Sequence, residues 1–207
     1  MHELLAGIAL SMGVAWASGI NLYAAILVLG LLGATGNISL PESLQVVQQP
    51  LVIGVAGLMY CVEFFADKIP GVDSTWDALH TFIRIPAGAV LAASAIADVD
   101  PSITLAAGLV GGGLTAGTHL TKAGSRLLVN TLPEPFSNIA VSLSEDFLAI
   151  GGLWVSLHYP LVFLFCLAIF LILMIWFLPI LWRVLKSMLE TLRKFGMSEK
   201  QKQLTEH

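Results

Sequence analysis

Residues 4–40 read LLAGIALSMGVAWASGINLYAAILVLGLLGATGNISL, a run without a single Asp, Glu, Lys or Arg. A helix crosses a bilayer with about 20 apolar residues, because the hydrocarbon core is about 30 Å thick and the rise is about 1.5 Å per residue. The run is longer than one span and shorter than two. Outward from it, Pro50–Ala66 reads as a second span, Trp76–Ala97 as a third interrupted by Arg84, and Ser102 to about Asn130 as a glycine-rich fourth. Phe136 to about Ile150 is a weaker fifth holding Glu145 and Asp146, and Tyr159–Trp182 is the strongest and last. The expected fold is an all-α polytopic membrane bundle of about six spans.

Composition agrees with that class. Of 207 residues, 57% are hydrophobic and only 12% charged, with a mean hydropathy of +0.85, whereas soluble domains carry about 25% charged residues. Residues 183–207 hold six bases and three acids, a local balance of +3; residues 1–182 hold four bases and eleven acids, a balance of −7. An acidic body excludes a nucleic-acid binder, which needs a basic face. Cys61 and Cys166 fall in apolar stretches and read as small core residues rather than a disulfide or zinc site. The start Met1-His2-Glu3 lacks the basic region of a cleavable signal, so the first apolar segment should be retained.

Basic residues recur on alternate sides of the expected spans. Lys68 follows span two, Lys122 and Arg126 end span four, and the tail holds six bases, whereas the connections at 36–49 and 98–101 hold none. The positive-inside rule then places both termini in the cytoplasm of a cell inner (plasma) membrane. Trp76, Trp154, Trp176 and Trp182 sit near span ends, as interfacial aromatics do. The chain divides into one transmembrane domain, 1–182, and a basic tail, 183–207, with Leu185, Met188, Leu189 and Leu192 at helical spacing. That tail either meets anionic headgroups or simply fixes orientation.

Three short matches recur in order. Ser18-Gly19-Ile20-Asn21-Leu22 resembles Ala116-Gly117-Thr118-His119-Leu120, Glu63-Phe64-Phe65 resembles Glu145-Asp146-Phe147, and Trp76 to His80 resembles Trp154 to His158. Two repeats of three spans, about 4–97 and 102–182, would face opposite ways, as the inverted halves of many transporters do. Spans one and four, with Ser18 and Gly19 in one and Gly111, Gly112, Gly113 and Gly117 in the other, are expected to be discontinuous at these glycines. Close packing through small faces is the other reading of the same residues.

Asn21 and His119 occupy equivalent positions and are candidate ligand-facing side chains. Glu63 and Asp67 share a helical face, Pro70-Gly71 forces a turn, and Asp73 or Ser74 can cap the next helix. Asp77, His80 and Arg84 form a polar stripe. Arg84 lies about 12 Å along the helix from Trp76, deep enough to need Glu63, Asp73 or Asp77 as counter-ion. Such a stripe could relay protons, or it could clamp two spans together at the interface. Lys122, Glu145, Asp146 and His158 complete the candidate pathway residues. No catalytic residue, metal site or cofactor is expected.

The motif from Glu63 to Asp77 (Glu-Phe-x-Ala-Asp-Lys-x-Pro-x-x-Asp-Ser-x-Trp-Asp) and the segment Ala17 to Tyr23 resemble an uncharacterised prokaryotic family, domain of unknown function 4126. The likeness covers most of residues 5–180. It implies a bacterial multi-pass membrane protein and brings no substrate or catalytic residue. The residues themselves favour a small secondary transporter or permeation pathway for a small solute or ion, with proton coupling as one form. A magnesium-dependent enzyme on a lipid (di)phosphate, using Asp67, Asp73 and Asp77, is an alternative, since Mg²⁺ pairs carboxylates with phosphates; a non-catalytic scaffold is another. The expected partners are the bilayer and the small solute, with no nucleic acid, and a body this small suits a homodimer.

Overall fold

The structure, a computed structural model, describes residues 2–131 and 136–205, and their side chains except at 2, 184, 185 and 188–205. Among these residues six α-helices and one short 3-10 helix account for all regular structure: α1 (His2–Ala34), the 3-10 helix (Glu42–Gln48), α2 (Pro50–Ala66), α3 (Val72–Ser94), α4 (Pro101–Val129), α5 (Phe136–His158) and α6 (Pro160–Thr205). Prolines and glycines set the boundaries. Pro50 and Pro101 occupy first turns, where the missing N–H is harmless. Asp100 caps α4 by accepting from the Ser102 amide at 2.8 Å. Gly36 (φ +73°) closes α1, with the Asn37 amide donating to Leu32 O at 3.0 Å and the Gly36 amide to Gly33 O at 3.1 Å.

The long charge-free run resolves in an unexpected way. Asn21 has φ −148° and ψ 99°, an extended residue inside α1, and the chain reverses there. A straight helix would put Glu3 and Ala34 about 47 Å apart. Instead Glu3, Gly7 and Leu10 line one cavity of about 430 Å³ together with Asn37, Ile38 and Pro41, and Leu10 and Val14 share a buried cluster with Leu29, Leu40 and Leu44. Helix α1 is therefore a hairpin of two limbs that begins and ends at the same end of the bundle, with its tip at Asn21.

From the hairpin onward the helices alternate in direction. α2 rises beside the second limb (Gly57 against Leu27). α3 descends along the first limb, where Ser11 Oγ donates to Ala92 O at 2.7 Å. α3 and α4 pack antiparallel along their length: a side chain at Gly88 would collide with Thr115, and one at Gly111 with Ala92. α5 descends against the first limb, with Trp16 over Gly152 and Gly13 against Ser156. Tyr159 alone separates α5 from α6, because Pro160 disfavours a helical residue before it. α6 then rises beside α4, Met174 against Gly117 and Leu181 against Gly124.

Several sequence expectations are corrected by this path. By length and composition, four segments among the described residues can cross a membrane: Glu3–Ala34, α4, α5 and Pro160–Arg183. The 3-10 helix and α2, bent by 65°, would form a fifth if taken as one span. α3, which carries Asp73, Asp77 and Arg84, is not among them, and α1 returns to the end it left, so six plain spans are not supported. The break lies at Asn21 and not at Ser18-Gly19, and α4 runs helical through Gly111, Gly112, Gly113 and Gly117. Away from water an opened turn leaves backbone groups unpaired at several kcal/mol each; the glycines of α4 instead thin its contact with α1, α3 and α6. The inverted repeat fails in its first pair. Thr115 Oγ1 donates to Ala15 O at 2.8 Å and Lys122 Nζ to Ile20 O at 3.0 Å, so α1 and α4 run the same way where they meet. Glu3 and Leu181 lie at opposite ends of the bundle. Cys61 and Cys166 point outward instead of into the core. The expected amphipathic face of the tail lies outside the described side chains.

The packing is inside-out relative to a soluble protein. Arg84, Arg126, His119, Glu63 and Asn21 are among the largest fully buried side chains, while Phe82 is 83% and Phe147 78% exposed. An apolar exterior around a charged interior is stable in lipid, where burial of charge is repaid by pairing and the outside needs no polar cover.

Candidate functional site

The interior charges gather around the tip of the α1 hairpin. At the break, the Asn21 side chain stands in for the missing backbone bonds: its Oδ1 accepts from the Ala24 amide at 2.9 Å, capping the second limb, and its Nδ2 donates to Asp146 Oδ1 at 3.0 Å. Lys122 Nζ donates to the freed Ile20 carbonyl at 3.0 Å, so a cation sits at the C-terminal, electronegative end of the first limb. The tip is held by α4 on one side and α5 on the other.

Three bases organise the acids. Arg84 donates to Glu63 Oε1 at 2.7 Å and to Asp77 Oδ1 at 3.0 Å. Lys122 pairs with Asp67 Oδ2 at 2.8 Å and lies 3.5 Å from Glu63 and 3.6 Å from Asp77. Arg126 binds Glu145 Oε2 through Nη2 at 2.5 Å and Nε at 3.0 Å, and donates through Nη1 to Asp67 O at 2.6 Å and Asn138 Oδ1 at 2.8 Å. Asp73 accepts from Asn130 Nδ2 at 2.9 Å and from the Ser74 amide at 2.6 Å, at the outer end of the network.

His119 is fixed as a neutral ring. Arg84 Nη1 donates to its Nδ1 at 3.0 Å, which leaves Nε2 to carry the hydrogen towards Thr81 Oγ1 at 2.8 Å and Asp77 O at 3.1 Å. It therefore positions Arg84 as a neutral acceptor through Nδ1. His80 stacks on Trp76 with ring centroids 4.1 Å apart, and its Nε2 meets Tyr23 Oη at 3.1 Å, tying α3 to the second limb of α1. His158 repeats the stack on Trp154 at 4.5 Å, but it is exposed at the opposite end, beside Glu3, and is not part of the network.

The structure thus brings together Asn21, Glu63, Asp67, Asp73, Asp77, Arg84, His119, Lys122, Glu145 and Asp146, sets His80 at the edge and leaves His158 apart. Ser18, Gly19 and Gly117 serve contact: a Cβ on Gly19 would lie 2.7 Å from Thr115 O, and one on Gly117 2.7 Å from Met174 Sδ. Gly113 meets nothing within 4 Å. Sequence reasoning weighed Arg126 as a contact for anionic substrate or headgroups or as an orientation charge, and missed Asn138, Asn130 and Tyr23. Lys122 and Arg126, at i and i+4, carried the signal for the first.

Two properties define what the site can do. Six buried or nearly buried carboxylates face three buried bases, a formal excess of three negative charges. Glu63 Oε2, Asp67 Oδ1, Asp77 Oδ2 and Asp146 Oδ2 have no hydrogen-bond partner. Burial and mutual repulsion disfavour such an excess as bare charge and favour protons or small cations as its balance. Among the described residues no three His, Cys, Asp or Glu side chains are grouped to hold a metal ion, because Asp67, Asp73 and Asp77 are each turned to a different partner.

An apolar exterior, a charged interior and a helix broken inside it define a helical bundle of the membrane type. The chain belongs to the family described as a domain of unknown function, DUF4126, whose family model matches residues 8–180. No curated protein and no solved structure matches it.

Proposed function

We propose that the chain is a small integral membrane transporter or permeation pathway that moves protons, alone or with a small solute, through the network at the α1 tip. The observation that carries this reading is the hairpin itself. Broken helices are tolerated at membrane depth where protein or a water-filled cavity receives their freed backbone groups, and in transporters they mark the site. Here the break opens onto an interior with more acids than bases, which suits a proton or a cation and disfavours an anion. The end of the bundle holding Glu3, Asp98 and Asp100 has no Lys or Arg in its connections, whereas Lys68 and Arg183 lie at the other. We therefore orient the latter end to the cytoplasm.

The enzyme reading needs Asp67, Asp73 and Asp77 to converge on magnesium, and their separate partners speak against it. The scaffold reading explains the ion pairs but leaves the acid excess and the broken helix without use. Reconstituted protein with a pH-sensitive dye sealed inside the vesicles tests the proposal. A potassium diffusion potential should drive proton entry above that of protein-free vesicles, and Glu63→Gln should reduce it. Flux equal to that of empty vesicles, with and without a panel of small cations and amines outside, refutes it.

A further inference from the structure

Asp146 differs from every other acid in the interior. Glu63, Asp67, Asp73, Asp77 and Glu145 each approach Arg84, Lys122 or Arg126 within 4.0 Å, and Asp73 is further held by Asn130 and backbone amides. Among the described residues Asp146 has no base within that distance. Its residue is 7% exposed, its Oδ1 has the single Asn21 donor, and its Oδ2 has no partner. The Asn21 amide cannot be turned round to change this, because its oxygen is committed to Ala24 N.

An ionised carboxylate with one amide donor and no counter-charge is a costly state for a buried acid. A proton on Oδ2 removes the difficulty. The groups facing Asp146 are Asn21 from α1, Tyr60 and Asp67 from α2, Lys68 from the α2–α3 turn, and Lys122 from α4, with Glu145 beside it on α5. Lys122 and Arg126 are already engaged by other acids. Lys68 is paired with no carboxylate among the described residues: its Nζ donates to Phe64 O at 2.9 Å, lies 3.0 Å from the Phe64 ring centroid, and is 3.4 Å from Ser142 Oγ. Ser142 lies four residues before Asp146 on α5, about 6 Å along the axis, a distance a lysine side chain can cover.

Resting on the pathway reading above, we propose that Asp146 is the residue that takes up and releases the proton in this interior, and that the exchange shifts the α1 tip through Asn21. With the proton on Oδ2, the carboxyl is neutral, the Asn21 bond is an ordinary amide contact, and Lys68 rests on Phe64. When the proton leaves Oδ2 for water at the Lys68 end, no other bond is broken. The carboxylate then draws Lys68 off Phe64, and the Asn21 contact becomes charge-assisted, pulling the tip towards α5. The hairpin is thereby offered two positions by one proton.

Dicyclohexylcarbodiimide, which adds to protonated carboxyls in apolar surroundings and keeps all atoms of both reactants in the final acylurea, reads the assignment in unmodified protein. Peptide mass spectrometry should find the adduct at Asp146, declining as the pH is raised, with the arginine-paired Glu63 and Asp77 unlabelled. The second measurement is the infrared C=O stretch of a neutral carboxyl, present in the wild type and missing in Asp146→Asn but kept in Glu63→Gln. No adduct at Asp146 at any pH, equal labelling of Glu63 and Asp77, or a band unaffected by Asp146→Asn overturns the proposal. Labelling without any flux in vesicles keeps the proton site and removes the transport reading; full flux in Asp146→Asn does the reverse.

Discussion

Arg84 is the side chain on which the interior depends most. It is fully buried and holds Glu63, Asp77 and His119 at once. Arg84→Gln leaves Glu63 and Asp77 with Lys122 alone, at 3.5 and 3.6 Å, and breaking a buried pair from one side costs about 3–5 kcal/mol. Thermal unfolding in detergent should show that loss, and Glu63→Gln added to it should recover part, because one of the two acids is gone. A double variant no more stable than Arg84→Gln would mean that Glu63 and Arg84 are not coupled. Asn21 acts on a smaller scale. Asn21→Ala removes the cap on the second limb, worth about 1 kcal/mol, together with the only donor to Asp146. Asn21→Asp should keep most of the cap while losing proton flux, since it sets a second acid against Asp146. The two substitutions thus separate stability from transport.

At the scale of helices, the glycines of α4 divide by what they touch. Gly111→Ala meets the Ala92 methyl, which cannot swing aside, and should cost about 1–3 kcal/mol through overpacking. Gly113→Ala meets nothing within 4 Å and should be neutral or slightly stabilising. Unfolding midpoints of the two variants, measured side by side, check the contrast; a broken α4 would make both equally tolerable. The α4 cap is a separate matter. Hydrogen bonds from Ser102 hold the Asp100 carboxyl below its usual range. Its contribution is therefore present above the usual carboxylate range and is lost as the pH falls through the depressed value. Asp100→Asn keeps a capping oxygen but has no charge to titrate, so this acid-side loss should disappear; an unchanged fall of the unfolding midpoint at low pH would contradict it.

The helices were legible because apolar runs, Pro50, Pro101 and Pro160 and the turn at Pro70-Gly71 act locally. The hairpin was not. Composition alone allows the run from Leu4 to Leu40 to be one long span or a folded-back pair, and the decision rests on Lys122 and Asp146, a hundred or more residues away. The similar glycine segments of α1 and α4 were readable as a repeat for the same local reason, yet they are partners across one interface. Glu63, Asp77 and Arg84 were paired correctly from helical spacing and the need for a counter-ion at depth, whereas Asn138 gave no periodic signal at all.

For the whole molecule, the path of the chain makes an exclusive statement about sidedness. Asn37 and Ser102 lie at the Glu3 end, Lys68 at the other. Cysteines placed singly at these positions in sealed vesicles should react with an impermeant maleimide in two classes, Asn37→Cys with Ser102→Cys and Lys68→Cys apart from both. Asn37→Cys grouping with Lys68→Cys would require α1 to cross once and would remove the hairpin. The inside-out arrangement also fixes where variation is tolerated: exchanges among Leu, Ile, Val and Phe at Phe82, Leu109 or Phe165 face outward and should leave folding intact, whereas any unpaired change among Arg84, Lys122 and Arg126 should not.

The tip of α1 has a consequence for biogenesis. Its two stabilising contacts, from Lys122 and to Asp146, belong to segments that leave the ribosome about a hundred residues after Asn21 itself. Until then the nascent N-terminal third carries a bent, incompletely bonded element that has no place to dock, so it must wait in the translocon or at the lipid surface and enter last. Translation order and assembly order are thereby reversed for this element.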